Sequence, residues 1–462
     1  MKKLIFLALA FALSLHLSAQ EQTITKTGYN FGPLPVVAYD ADKGFQYGGL
    51  VNIFNYGDGT NYPNYDSKTY VEFSAFTKGS KLIQVTYDNK SLIPGVRWSS
   101  AAYVLIEKAM DFYGFNGYGS YFNWSAVAAG KSGDSFIYTP FYRMKNTAAL
   151  FKTDFIGRIT DNLKWEAGYH LGIFKSGAID RDNINKGKKD GQKYPDEMPT
   201  LFEQYKDWGL IGANEADGGV VSSVRLGLVY DSRDKEGAPA RGIWAEAHLT
   251  AAPKWLGSSN GFYRYSATWR HYLPIVDNNV LTFAYRLNYE GTFGSSAPFY
   301  VLPYITVMGE NTDKDGMGGY RTVRGMLRDR VVGLDMATAN LEMRWRFINF
   351  TLGKQNISLG LSMFSDMATA TRGRFIPKTY DEYISNGGKP SAYKAFADYR
   401  ALSKENDRLH VTAGAGFRFI MNENFIVAVE YGTPLSHFYS NSSPLYNQDG
   451  TGAFYINTGY LF

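Results

Sequence analysis

Asn340-Leu341-Glu342-Met343-Arg344-Trp345-Arg346-Phe347 alternates polar and apolar side chains without a break, the period of a β-strand with two unlike faces. Leu341, Met343, Trp345 and Phe347 share one face; Asn340, Glu342, Arg344 and Arg346 share the other. In a soluble sandwich the apolar face turns inward, whereas in a membrane barrel it meets lipid and the charged face lines the lumen. Just upstream lies Gly318-Gly319-Tyr320-Arg321-Thr322-Val323-Arg324-Gly325-Met326-Leu327-Arg328-Asp329-Arg330-Val331-Val332-Gly333, bounded by glycine and rich in arginine. A charged side chain at a bilayer centre is costly. Beside a membrane strand, such a loop must fold into a polar interior or project into water.

The same alternation recurs outward from this point. It predicts about sixteen strands, over 34–40, 45–55, 68–78, 81–90, 95–107, 147–159, 163–175, 220–231, 242–252, 262–274, 279–290, 334–348, 356–365, 408–420, 424–433 and 453–462. Single-chain bacterial barrels require an even number, and these lengths suit tilted membrane strands. The connections 108–146, 176–219, 291–333 and 366–407 are long and all fall at one end; turns such as Thr160-Asp161-Asn162 fall at the other. That asymmetry assigns the long loops to the cell exterior. Tyr39, Tyr230, Tyr272, Tyr289, Tyr431 and Tyr460 at strand ends are expected in interfacial girdles, and the chain closes on an aromatic strand ending Gly459-Tyr460-Leu461-Phe462.

Composition agrees: 35 Tyr, 31 Phe and 48 Gly in 462 residues suit many strands joined by turns. With no cysteine, disulfides, lipoprotein acylation and thiolate metal clusters are excluded. Lys2 and Lys3, the apolar run Leu4 to Leu17 and Ser18-Ala19 before Gln20 read as a cleaved secretory signal, too short to span a bilayer. The expected organisation is therefore a signal peptide over 1–19, a short periplasmic segment over 20–33, and an outer-membrane barrel over 34–462. A net charge of +5 on an exported chain gives no reason to expect nucleic acid; outer-membrane lipid is the expected surroundings.

These residues also resemble a known family. Val323-Arg324-Gly325-Met326, in a loop opening on Gly318-Gly319 and leading into Asn340-Leu341-Glu342-Met343-Arg344, is similar to the sixth loop and twelfth strand of the BamA/TamA superfamily, also called the bacterial surface antigen family. Tyr230-Asp231-Ser232-Arg233-Asp234 with Pro239-Ala240-Arg241-Gly242 resembles its turn between strands eight and nine, and Leu361-Ser362-Met363-Phe364-Ser365-Asp366 its thirteenth strand. Met326 stands where an aromatic is usual. The resemblance implies a sixth loop folded into the lumen, where Arg324 meets Asp366 and Glu342, both placed on the lumen side by strand parity. Arginine's planar fork suits a bidentate carboxylate pair, and Gly325 allows a tight turn or close approach to the wall. The alternative for the same residues is an outer loop of solvated arginines.

Catalytic constellations are not expected. Ser436-His437 lacks phospholipase spacing, and the histidines are scattered singly along strands. Asp313-Lys314-Asp315-Gly316 has no distal bidentate Glu for calcium, and Gly114-Phe115-Asn116-Gly117-Tyr118-Gly119 has no phosphate-loop lysine. No cofactor or metal is expected. The resemblance implies a part in inserting or translocating outer-membrane proteins, as a short member without the family's periplasmic POTRA domains, acting with other assembly proteins or client barrels. Opening would occur between a short first strand, started by Pro35, and the closing strand, weakened by Gly459. A passive channel or structural surface barrel is the alternative.

Overall fold

The computed structural model describes residues 25–462 other than 41–43, 63, 78, 129–137, 191–192, 237, 277–279, 309–313, 353–354, 405, 422–424 and 459. The expected signal segment and Gly459 lie outside the described residues.

Sixteen antiparallel strands form the fold. They are β1 (Tyr29–Asp40), β2 (Gly44–Asn55), β3 (Ser67–Phe76), β4 (Lys81–Ile93), β5 (Val96–Asp111), β6 (Arg143–Arg158), β7 (Leu163–Gly177) and β8 (Gly218–Asp231). The second half comprises β9 (Gly242–Ala252), β10 (Phe262–Val276), β11 (Leu281–Phe293), β12 (Asp335–Leu352), β13 (Gln355–Arg372), β14 (His410–Met421), β15 (Phe425–Pro434) and β16 (Ala453–Thr458). Each strand pairs with its neighbours in sequence and β1 meets β16, so the sheet closes into a barrel. Closure leaves each strand a neighbour on both sides, the condition for spanning lipid with strands. No helix among the described residues is long and apolar enough to cross a membrane.

The two faces fall as the alternation requires. On β12, Met343 and Trp345 are exposed on the barrel exterior, while Asn340, Glu342 and Arg344 are buried inside. Paired residues share a face, so Asn340 opposite Asp366 and Glu342 opposite Phe364 place both partners in the lumen. Two expected girdle residues are exceptions: Tyr272 lies inside against Phe462, and Tyr460 lies inside against Ala238, Ile420 and Ile426 with Arg344 over its ring.

Among the strand boundaries that differ from expectation, three have a physical reason that bears on the site. β1 begins at Tyr29, not at 34, and carries both Pro33 and Pro35. Along that stretch its ladder runs only to β2, so the edge facing β16 needs no donors from the prolines. β13 continues to Arg372, so Asp366 lies mid-strand and not at the start of the 366–407 connection; pairing with β12 carries the strand on to Arg372 opposite Asp335. β16 stops at Thr458, short of the expected 462. Beyond it Phe462 is buried against Tyr272 and Ala284. Arginines draw the tail inward: Arg344 lies 4.1 Å from the Tyr460 ring centre and 5.0 Å from that of Phe462, and Arg418 4.6 Å from Tyr460. Cation–π attraction inside the lumen thus outweighs completion of the ladder.

At the long-loop end an aromatic core closes the barrel. Phe112 and Phe115, Phe202, Tyr205 and Trp208, Phe299, and Tyr383 and Phe396 come from the four long connections and pack into one cluster. Below it lies a lumenal cavity of about 1230 Å³ bounded by β1, β16 and many charged side chains.

Candidate functional site

The connection between β11 and β12, residues 294–334, turns back into the barrel. Gly318, Gly319 and Gly325 all adopt positive φ, which favours glycine. At Gly325 the need is also spatial: a Cβ there would stand 2.3 Å from the carbonyl carbon of Gly432 on β15. Gly432 likewise faces the carbonyl of Arg324. Two glycines therefore let loop and wall touch backbone to backbone. The Gly325 N–H donates to the hydroxyl of Tyr455 on β16 at 3.2 Å.

This approach seats Arg324, fully buried, among three carboxylates. Its Nε and Nη2 donate to the two oxygens of Asp366 at 2.8 and 3.0 Å, and its backbone N–H adds a bond to Asp366 Oδ2 at 3.0 Å. Nη1 donates to Glu342 at 2.9 Å and to Glu430 at 2.8 Å. The guanidinium lies 3.6 Å from the ring centre of Phe364. Arg344 and Arg418 complete the charge balance, donating to Glu342 at 3.1 Å and to Glu430 at 2.8 Å. Asn457 on β16 donates to the remaining oxygen of Glu430 at 3.1 Å. Three arginines thus face three carboxylates, each oxygen of which accepts a bond, the arrangement that makes buried charge tolerable.

The structure therefore places Arg324, Asp366 and Glu342 together, buried from solvent. Arg328 and Arg330 are buried too, on Glu107 and Asp111 of β5 and on the carbonyls of Gly117, Ser120 and Gln448. Val323 and Met326 pack with Met317, Val331, Met336 and Ala368. Tyr460 and Phe462 occupy the lumen, not a closing strand. Glu430 on β15 is a further Arg324 partner that the sequence pattern does not single out. Arg158, at the end of β6, sits exposed at the short-turn rim beside Asp161.

The seam is the second feature. Among the described residues only Tyr39 of β1 stands in register with β16, opposite Ile456, whereas β1 pairs with β2 along its whole length. The strand that is short there is β16, not β1 as expected.

Residues 115–462 match the Omp85 superfamily domain, a span that includes every member of the Arg324 cluster. The chain belongs to the Omp85 superfamily. It is accordingly a bacterial outer-membrane barrel, of a family of assembly and transport proteins. Among solved structures, this Omp85 barrel is similar to BamA from Haemophilus ducreyi lacking POTRA domains 1-3, at 14% identity and a TM-score of 0.51, over 94% of this chain and 70% of that one. It is also similar to CdiB from Acinetobacter baumannii, at 15% identity and a TM-score of 0.44, over 94% of this chain and 60% of that one. The first likeness concerns the fold alone. No curated protein matches the sequence.

Proposed function

We propose that this barrel takes part in outer-membrane protein assembly or translocation by opening between β1 and β16, with other assembly proteins or client barrels as its partners. The observation that carries the reading is that, among the described residues, Tyr39 to Ile456 is the single register pair of these strands, next to a lumenal cavity bordered by both. A strand edge exposed there offers backbone donors and acceptors to an incoming strand. The Arg324 cluster acts as a lock that holds loop and wall while the seam moves. No catalytic step is involved, export rests on the signal over 1–19, and the surrounding lipid needs no cofactor.

The test uses the chain's lack of cysteine. In a deletion strain, other outer-membrane barrels or exported surface proteins should decline and recover with the wild-type gene. Tyr39→Cys/Ile456→Cys should recover them only under reduction. Full recovery by the oxidised, cross-linked protein would overturn the reading. A passive channel is the second reading, favoured by the cavity of about 1230 Å³ and opposed by the aromatic cluster above it; steady planar-bilayer conductance with an unchanged outer-membrane proteome on deletion would establish it.

A further inference from the structure

Further along the same loop lies a second charged cluster. Arg328 Nη1 meets Glu107 at 2.6 Å and Asp315 at 3.3 Å, and its Nε meets Asp111 at 3.3 Å. Lys314 reaches Glu107 at 2.7 Å and Asp315 at 3.4 Å, and Arg143 pairs with Asp111. Asp329 adds a fourth carboxylate, its nearest cation being Arg328 at 4.0 Å. Asp329 is the carboxylate of this group that stands apart: it is 3% exposed, and neither of its carboxylate oxygens accepts a hydrogen bond among the described residues.

Asp329 is fixed in this position by its backbone. Its φ is 57°, and its N–H donates to the Asp315 carbonyl at 2.8 Å. It borders a cavity of about 30 Å³, where Asn146 Oδ1, Ser176 Oγ and the Tyr304 hydroxyl are also buried without partners. That is room for one water or one small ion. The oxygens belong to β6, β7 and two parts of the loop, so no local turn accounts for their convergence. Among the described residues no three Asp, Glu, His or Cys side chains form a metal-ion cage; one unpartnered carboxylate among neutral oxygens suits a single positive charge.

We propose that the cavity beside Asp329 binds one monovalent positive charge, a proton on the carboxylate or a sodium-sized ion among the four oxygen-bearing side chains, and that docking of the loop takes it up. The groups facing Asp329 are Arg328, Asp315, Lys314 and Glu107, with the Tyr304 hydroxyl across the cavity. Burial is the main force pushing the Asp329 carboxyl well above the usual range; Asp315 and Glu107 push the same way, and Arg328 and Lys314 oppose. A raised pKa in the folded state means that the stabilisation is complete at low pH and is lost as pH rises through the folded value.

The test is limited proteolysis of the full chain in vesicles, with cleavage within 318–333 mapped across pH, in sodium chloride and in N-methylglucamine chloride, whose cation exceeds the cavity. If a proton is bound, the loop-opening constant should rise about tenfold per pH unit up to the midpoint of the docked loop and level off above it, in both salts. If sodium is bound, it should rise about tenfold for each tenfold fall in sodium at fixed pH. Asp329→Asn, neutral and of the same shape, should abolish either dependence. Should that variant not fold, Asp315→Asn removes a neighbouring negative charge and should move the midpoint to lower pH or higher sodium. Opening that ignores pH and sodium in the wild type, or a midpoint unmoved by Asp315→Asn, would overturn the proposal.

Discussion

The wall between β12 and β13 and the seam between β16 and β1 are made from the same kind of strand, yet they are held very differently. The wall is paired from Asp335 with Arg372 down to Leu352 with Gln355, and the buried loop fastens it a second time through Arg324, Glu342 and Asp366. Among the described residues, the seam is held by one register pair. The loop's reach explains the asymmetry: through Glu430 and Tyr455 it touches β15 and β16, but none of its described bonds runs to β1. One side of the seam is therefore anchored to the barrel interior, and the other rests on β2. Relative motion at the seam is a matter for β1.

The sharpest way to break this comparison is to neutralise the anchor. Arg324→Met leaves three buried carboxylates facing two arginines and should cost about 3–5 kcal/mol, read as loss of heat-modifiable folded barrel and a lower melting temperature. Asp366→Asn should cost less, and the double variant less than the sum, because each change removes the partner that the other leaves unpaired. If Arg324→Met melts like the wild type, the wall does not depend on the loop. A smaller effect is expected from Gly325→Ala, at φ 91° and with a Cβ 2.3 Å from the Gly432 carbonyl carbon. About 1–3 kcal/mol of strain follows, along with loss of the Gly325 to Tyr455 bond. Gly49→Ala, with open space around the new Cβ, is its control and should be close to neutral in the same melt.

The contrast between wall and seam also separates what could be read in the sequence from what could not. Strand number and facing were legible because alternation is a property of the strand itself: the inward set Asn340, Glu342, Arg344 needs no knowledge of its partners. The Arg324 to Asp366 pair, 42 residues apart, was legible because a motif resemblance marked one residue and parity marked the other. Glu430 lies 106 residues from Arg324, and nothing in a period-two pattern states which lumen charge meets which. The seam was legible only in outline. Proline was read as a strand starter, although β1 tolerates two where it has a neighbour on one side. The terminal aromatics were read as lipid-facing because their lumenal partners Arg344 and Arg418 come from distant strands. Local pattern reports a residue's face, and the arginine-rich interior then redirects the ends of strands that pattern alone would have continued.

The smallest effect should come from the seam itself, and its smallness is the point. Tyr39 and Ile456 are exposed on the barrel exterior, and a cross-strand pair of this kind contributes roughly 0.2–1 kcal/mol. Tyr39→Ala and Ile456→Ala should therefore leave the melting temperature nearly unchanged while accelerating hydrogen exchange at β1 amides between Tyr29 and Tyr39, since their edge toward β16 has little else to hold it. Equal exchange along β1 and β2 in the wild type would mean that the seam is closed by more than its register shows. Faster exchange confined to β1, with the wall amides of β12 and β13 still protected, would show that the barrel melts from its unpaired edge and that the loop stabilises only the strands it touches.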